Sequence, residues 1–156
     1  GGAVTAKTKT KPAAQRGNAA ILQLLFLLVA LPPEKRNGTV IHEITGISLS
    51  AFHRLKTAVF ITLGVKIESI ELKGKSKLFD EKGKQTVRSY YKIFDFGCFN
   101  PDKIGETYLQ TGLRPEDDPD EQAERRKTVV NTVKAVNKYR AMYAMELFKI
   151  PETQRK

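Results

Sequence analysis

The most hydrophobic stretch of the chain lies near its start. From Ala19 to Leu31 every residue except Gln23 is apolar, and the stretch ends at Pro32-Pro33. As a helix it would be about 20 Å long, too short for the ~30 Å hydrocarbon core of a membrane. A helix that is apolar on all sides must be covered on all sides. The pattern therefore predicts a central core helix, capped by Asn18, or one that also contacts a second subunit.

Residues 39–64 predict a helix, a tight turn and a second helix. Apolar residues recur at helical spacing on both sides of Gly46: Val40, Ile41 and Ile44 before it, and Phe52, Leu55, Val59 and Leu63 after it. Gly46 can adopt the positive φ that ends the first helix, for which Thr39 is the expected cap. Ser48 or Ser50 can cap the second helix.

After Gly64 the hydrophobic period becomes two, which is typical of strands. Apolar and charged residues alternate in 65–68, in 70–73 and again in 87–94, and Ser69 interrupts the first alternation. We expect a β-bulge at Ser69, a turn at 80–84 and a long two-stranded hairpin.

The last patterned stretch, residues 118–150, predicts one long helix. Asp118-Pro119 provides a cap and a first-turn proline, and Pro151 ends the run. Its apolar stripe steps by four and three, as in a coiled coil, with Arg140 as an interruption. We expect the stripe to pair two subunits through Val129, Val133, Val136, Tyr143, Leu147 and Ile150. The alternative is a single helix packed along its own domain.

The region around Gly46 also carries a family resemblance. Thr45-Gly46-Ile47-Ser48, followed by Arg54-Leu55, resembles the winged helix-turn-helix superfamily of transcriptional regulators. Five residues fall at that superfamily's internal and turn positions: Ile41, Gly46, Ile47, Phe52 and Leu55. His42 departs from it, because a small residue is usual where the two helices touch. The resemblance implies a mainly α fold with a β-hairpin wing (α+β), whose second helix enters the DNA major groove. An ordinary αα-hairpin is the alternative.

These elements divide the chain into five parts. We expect a disordered basic arm at 1–18, a winged helix-turn-helix domain at 19–100 and an acidic loop at 101–117 with at most one helical turn. The long dimerisation helix occupies 118–150, and a tail follows at 151–156.

The charge of the chain indicates an acidic partner. The net charge is +10 and the isoelectric point is about 9.7, which favours nucleic acid over an anionic membrane surface. Basic residues are in excess in 1–18, 34–92 and 124–156, whereas 93–121 holds 8 acidic and 2 basic residues. This asymmetry favours an oriented binding face.

Three groups of residues are predicted to contact DNA, and Arg54 is the candidate for a bidentate contact to guanine. On the recognition helix they are Ser48, Leu49, Ser50, His53, Arg54, Lys56 and Thr57. On the wing they are Lys75, Lys77, Lys82, Lys84 and Arg88. On the arm they are Lys7, Lys9, Lys11 and Arg16. Each group has an alternative without DNA. The helix residues would form a solvated face, the wing residues a lysine-rich strand edge, and the arm residues a tail that touches nothing.

Catalytic chemistry is not indicated. Two His, a lone Cys98 and no clustered carboxylates provide neither a metal site nor a catalytic triad, and no glycine-rich phosphate loop occurs. We therefore expect no enzyme activity, no cofactor and no metal. Cys98 rules out an internal disulfide and suits a reducing compartment, so we expect a cytoplasmic, nucleoid-associated protein, or a nuclear one in a eukaryote.

The resulting hypothesis is a sequence-specific double-stranded DNA-binding protein that acts as a dimeric transcriptional regulator. One alternative is a plasmid or phage replication or partition protein, which needs the same DNA contacts. Another is an RNA-binding or ribosome-associated basic protein that uses the hairpin tyrosines. A third is a structural interaction module in which the long helix is the functional part.

Overall fold

The computed structural model describes the backbone of residues 13–71, 78–79, 85–86, 89–111 and 118–150, and the side chains of 19–71, 89–111 and 118–150. Its helices are α1 (Ala13–Ala30), α2 (Gly38–Thr45), α3 (Leu49–Arg54), α4 (Ile104–Thr111) and α5 (Pro119–Met142). Its strands are β1 (Val65–Glu71), β2 (Leu78–Phe79), β3 (Gln85–Thr86) and β4 (Ser89–Phe96). The described part is thus mainly helical, with a small antiparallel sheet and a long C-terminal helix.

Helix α1 is the centre of the fold, as its uniform hydrophobicity predicts. One side contributes to a cluster with α2, α3, β1 and β4 through Ile21, Leu24, Leu25 and Leu28. The other side packs against α2, α4 and α5 through Phe26, Leu27 and Ala30, together with Leu31 just after the helix. The chain therefore covers this helix by itself, and no second subunit is needed to bury it.

The helix boundaries near the start of the chain differ from those predicted. Helix α1 begins by Ala13, so Asn18 lies inside it and is not its cap, and the prediction of a disordered arm is wrong for residues 13–18. Helix α2 is capped by Asn37, whose side chain accepts a hydrogen bond from the Val40 N–H at 3.0 Å, and not by Thr39. The chain enters the helix two residues earlier than predicted.

Helix α3 does not end at Arg54 but continues in altered geometry. A π-helical stretch, Leu55–Phe60, leads into a 3-10 turn, Ile61–Leu63, and we call residues 49–63 the α3 segment. Because π-helical hydrogen bonds span one more residue than those of an α-helix, the buried face advances by one position. Phe60 is consequently fully buried, whereas the predicted inward residue Val59 is half-buried.

Strands β1 and β4 form the base of the predicted hairpin. They pair antiparallel from Val65 opposite Phe96 to Glu71 opposite Ser89. The register shifts between Lys66 and Ile67, which face Asp95 and Ile93, so Phe94 is the extra residue. The bulge predicted at Ser69 is therefore wrong, because Ser69 pairs in register with Tyr91. Further along, β2 and β3 pair through their backbones.

The acidic loop predicted at 101–117 contains more structure than one turn. Helix α4 occupies eight of its residues. Ile104 and Tyr108, four residues apart on one helix face, are both buried. This short helix joins the two core clusters, since Ile104 belongs to the first and Tyr108 to the second.

Helix α5 ends eight residues before the predicted end at Ile150. Ala144 has a φ of 55°. The Met145 N–H bonds the Arg140 carbonyl, and the Ala144 N–H bonds the Ala141 carbonyl. These two bonds form a Schellman cap, which ends a helix and reverses the chain. The prediction of one continuous heptad stripe that reaches Ile150 is therefore wrong.

Candidate nucleic-acid interface

The turn between α2 and α3 is built by three residues. Gly46 has a φ of 76°, and a side chain added there would meet open space. The Thr45 hydroxyl donates to the Ile41 carbonyl at 2.7 Å and accepts from the Ile47 N–H at 3.0 Å. Ser48 then caps α3 by accepting the Ala51 N–H at 3.1 Å. The predicted glycine turn and the Ser48 cap are confirmed.

The outer surface of the α3 segment carries the predicted recognition residues. Six of the seven are exposed to solvent: Ser48, Leu49, Ser50, His53, Arg54 and Thr57. The seventh, Lys56, is half-buried. Phe52 and Phe60 face inward and are fully buried, which fixes the rotation of the segment about its axis. The structure thus brings the predicted polar and basic side chains together on one solvent-facing surface, which we call the α3 face.

One flank of the α3 face meets the hairpin at Tyr91. The rings of Phe52 and Tyr91 have centroids 4.8 Å apart, and the His53 ring lies edge-on to Tyr91 at 6.2 Å. The Lys56 ammonium is 5.6 Å from the centre of the same ring. Burial raises the pKa of the Tyr91 hydroxyl. These contacts hold His53 and Lys56 beside Tyr91 of the hairpin.

His42, the residue that departs from the helix-turn-helix pattern, faces solvent. Its side chain is exposed on α2, so it does not separate the two helices. Helices α2 and α3 approach each other closely at Gly38, where a Cβ would lie 3.0 Å from Leu49 Cδ1. Ile41 and Phe52 are buried in one cluster, and Ile47 and Leu55 pack against it.

The electrostatic surroundings of the α3 face favour an anion. No Asp or Glu occurs between Glu43 and Glu68. Glu43 accepts the Tyr139 hydroxyl at 2.8 Å and so lies against α5, and Glu68 is 3.7 Å from Lys66. Arg54 and Lys56 therefore supply the charge of the segment, and a phosphate backbone would meet no carboxylate on it.

The other predicted DNA contacts lie outside the residues whose side chains the structure describes. The wing residues Lys75, Lys77, Lys82, Lys84 and Arg88 and the arm residues Lys7, Lys9 and Lys11 lie outside the described residues. Arg16 lies on α1, of which only the backbone is described at that point.

The residues predicted to form a dimer stripe separate into two groups. Val129, Val133 and Val136 are buried in the core of their own chain, where α5 packs on α1 and α4. Tyr143, Leu147 and Ile150 are exposed, but they follow the end of α5. The six residues therefore do not share one accessible helix face, and the sequence alternative of a helix packed along its own domain describes α5 better.

Two exposed residues of the α3 segment were missed by sequence reasoning. Ile61, with 63% of its surface exposed, and Thr62 continue the solvent-facing side beyond Thr57. Regular helical spacing already places Ile61 on this side, four residues after Thr57. It was missed because an apolar side chain was not considered as a DNA contact.

Two further features, a cluster of metal-binding side chains and a membrane-spanning helix, are not found among the described residues. Among those residues, no group of three or more His, Cys, Asp or Glu side chains is placed to hold a metal ion. A search of the same residues finds no helix with the length and hydrophobicity needed to cross a membrane.

Comparison with known protein families, with curated proteins and with solved structures finds no significant match.

Proposed function

We propose that the chain is a winged helix-turn-helix protein that binds double-stranded DNA through the α3 face and acts as a dimeric transcriptional regulator. The order of elements supports the proposal: a core helix, two helices joined by a three-residue turn, and then an antiparallel hairpin. In winged domains the second helix of the pair enters the major groove, and the hairpin lies beside it.

The observation that carries the proposal is the composition of the α3 face. It combines a guanidinium, an imidazole and short hydroxyl side chains on a rigid helical segment, in a stretch of sequence that contains no acid. Arg54 has the geometry to donate two hydrogen bonds to guanine, whereas Ser50 and Thr57 suit phosphates or base edges. The buried Phe52 and Phe60 hold this face rigid, which base readout requires.

The first test is selection from a random pool of duplex DNA at ~150 mM salt, with single-stranded DNA and RNA as competitors. Enrichment of a two-fold symmetric site is expected. Binding that disappears at this salt concentration, or that prefers RNA, rejects the proposal. A single unsymmetrical site would retain DNA binding and reject the dimer.

The second test compares Arg54→Ala with Lys134→Ala on the selected site. Both variants lose one positive charge, but Lys134 lies exposed on α5, a helix that packs on α1, α2 and α4. Arg54→Ala should weaken the selected site by about 10- to 100-fold and relax preference at one base pair. Lys134→Ala should change binding to all sequences little and equally. Equal effects of the two variants would show that Arg54 contributes only charge.

A further inference from the structure

The segment after α5 folds back onto the chain and is fastened there. We call residues 145–150 the strap. The Asn137 side chain, on α5, bonds both main-chain groups of Phe148: its oxygen accepts the Phe148 N–H at 2.8 Å and its Nδ2 donates to the Phe148 carbonyl at 2.8 Å. These two hydrogen bonds satisfy both main-chain polar groups of Phe148 and do not depend on its side chain.

The Phe148 side chain provides the anchor of the strap. Its ring lies edge-on to Phe26 of α1 with centroids 5.3 Å apart, and a Cβ on Gly105 of α4 would sit 3.8 Å from the ring. The Arg140 guanidinium covers the ring at 4.7 Å, donates to the Ala30 carbonyl at 2.7 Å and also donates to the Glu146 carbonyl. Helices α1, α4 and α5 therefore all contact or lie against the Phe148 ring, and we call the surface that receives this ring the groove.

The hinge that directs the strap into this groove is strained. Ala144 adopts a left-handed φ of 55°, which glycine normally occupies at a Schellman cap. The hinge and the strap also expose large apolar side chains, with Met142 62%, Tyr143 40% and Leu147 53% exposed. The folded-back conformation thus retains both backbone strain and uncovered apolar surface at the same place.

We infer that the groove can accept the strap of a second copy of this chain, so that two chains exchange residues 145–150. The contacts of the strap with Asn137, Phe26 and the Arg140 side chain can form equally well in trans, because they are made to residues of the groove. The Met145 N–H bond to the Arg140 carbonyl belongs to the hinge and is lost on exchange. Release of Ala144 from its left-handed conformation favours the exchanged state, as does mutual burial of Met142 and Tyr143 at the crossing of the two hinges. The inference goes beyond DNA binding and does not depend on it.

Complementation between two variants tests the exchange. Asn137→Ala weakens the groove but keeps the strap, whereas Phe148→Ala removes the anchor but keeps the groove. Cys98, the one cysteine of the chain, is exposed and takes donor and acceptor dyes for energy transfer. In the absence of DNA, each variant alone should remain monomeric in sedimentation velocity, and an equal mixture should form a 1:1 dimer with energy transfer. The double variant Asn137→Ala/Phe148→Ala should pair with neither.

A mixture that remains monomeric, or a double variant that dimerises as well, overturns the inference, provided that circular dichroism shows folded chains. If either variant does not fold, the single variant Ala144→Gly tests the exchange instead, through its association constant. Relief of the hinge strain in the closed form should lower the association constant of the wild-type dimer about fivefold per hinge. An unchanged association constant, or no dimer after wild-type chains refold at high concentration, rejects exchange. Because DNA is absent, either failure leaves the DNA-binding proposal unaffected.

Discussion

Gln23 and Thr132 are joined by a hydrogen bond of 3.0 Å between the amide nitrogen on α1 and the hydroxyl on α5. Gln23 interrupts the apolar run of α1, and Thr132 is the buried polar residue of the described core. The Tyr108 hydroxyl donates to the same Thr132 oxygen at 3.2 Å, and that oxygen donates to the Thr128 carbonyl at 2.7 Å. One hydroxyl thus satisfies polar groups from α1, α4 and α5 and fixes their relative rotation.

Replacing Thr132 by valine should destabilise the fold by about 1–3 kcal/mol, because it leaves the polar groups of Gln23 and Tyr108 without their buried partner. Urea denaturation of the variant measures the loss. Adding Gln23→Leu and Tyr108→Phe should restore part of it, since the triple variant buries no unpaired group. The free energies lost in the single variants Gln23→Leu and Tyr108→Phe provide the comparison. If the triple variant is less stable than Thr132→Val by the sum of those two losses, the three side chains do not act as one network.

Gly97 and Gly64 bring the end of the α3 segment against the end of the hairpin. Gly97 has a φ of 57°, and a Cβ there would lie 2.2 Å from the Leu63 carbonyl oxygen. That neighbour is backbone and cannot rotate away, so Gly97→Ala should cost about 3 kcal/mol or more.

Gly46→Ala is the matched control for Gly97→Ala. It shares the positive φ but faces open space, so it should cost only about 1–2 kcal/mol. Thermal unfolding of both variants measures the difference. Equal losses of stability in the two variants would mean that a Cβ at Gly97 meets no steric conflict with Leu63, and that only the positive φ matters.

The elements that the sequence predicts well are those whose signals are local. The run of apolar residues in α1, the left-handed Gly46 and the Ser48 cap each follow from a few neighbouring residues, and all three are confirmed. Asn37 and Thr39 show the limit of this reasoning. Both residue types are good helix caps, and only the surrounding turn decides which of them begins α2.

What the sequence does not predict depends on contacts between distant residues. The heptad spacing of Val129, Val133 and Val136 is the same whether the partner is another chain or α1, because an apolar stripe does not specify what covers it. The chain reverses direction at Ala144, where no glycine indicates a helix end in the sequence. Asn137 and Arg140 hold the residues that follow it. For the candidate site, the exposure of Arg54 could be predicted from helical period. The burial of Phe60, which helps to set the rotation of this face, could not, since it follows from the π-helical stretch.

Ala144 offers a stabilising substitution. Changing it to glycine removes a left-handed penalty of about 1–2 kcal/mol and adds about 0.4–1 kcal/mol of unfolded-state entropy, which leaves a net gain of roughly 0.5–1 kcal/mol. Chemical denaturation of the monomer at low concentration measures this gain. A matched Ala141→Gly change, one turn earlier inside α5, should instead destabilise by about 1 kcal/mol. A loss of stability in both variants would show that Ala144 is not left-handed in solution.

The buried Tyr108 hydroxyl should make the fold sensitive to alkali. Burial raises its pKa above the ordinary value of 10.0, and the hydrogen bond with Thr132 offsets this only in part. Because the unfolded chain loses this proton at a lower pH than the folded chain, the stabilisation is complete below about pH 10 and is lost as pH rises further. The free energy of unfolding, measured by denaturation at a series of pH values, should fall more steeply above pH ~10 in the wild type than in Tyr108→Phe. Tyr91 and Tyr139, whose pKa values are also raised by burial, should retain some slope in the variant. Identical slopes in the two proteins would show that Tyr108 ionises in the folded chain as easily as in the unfolded one.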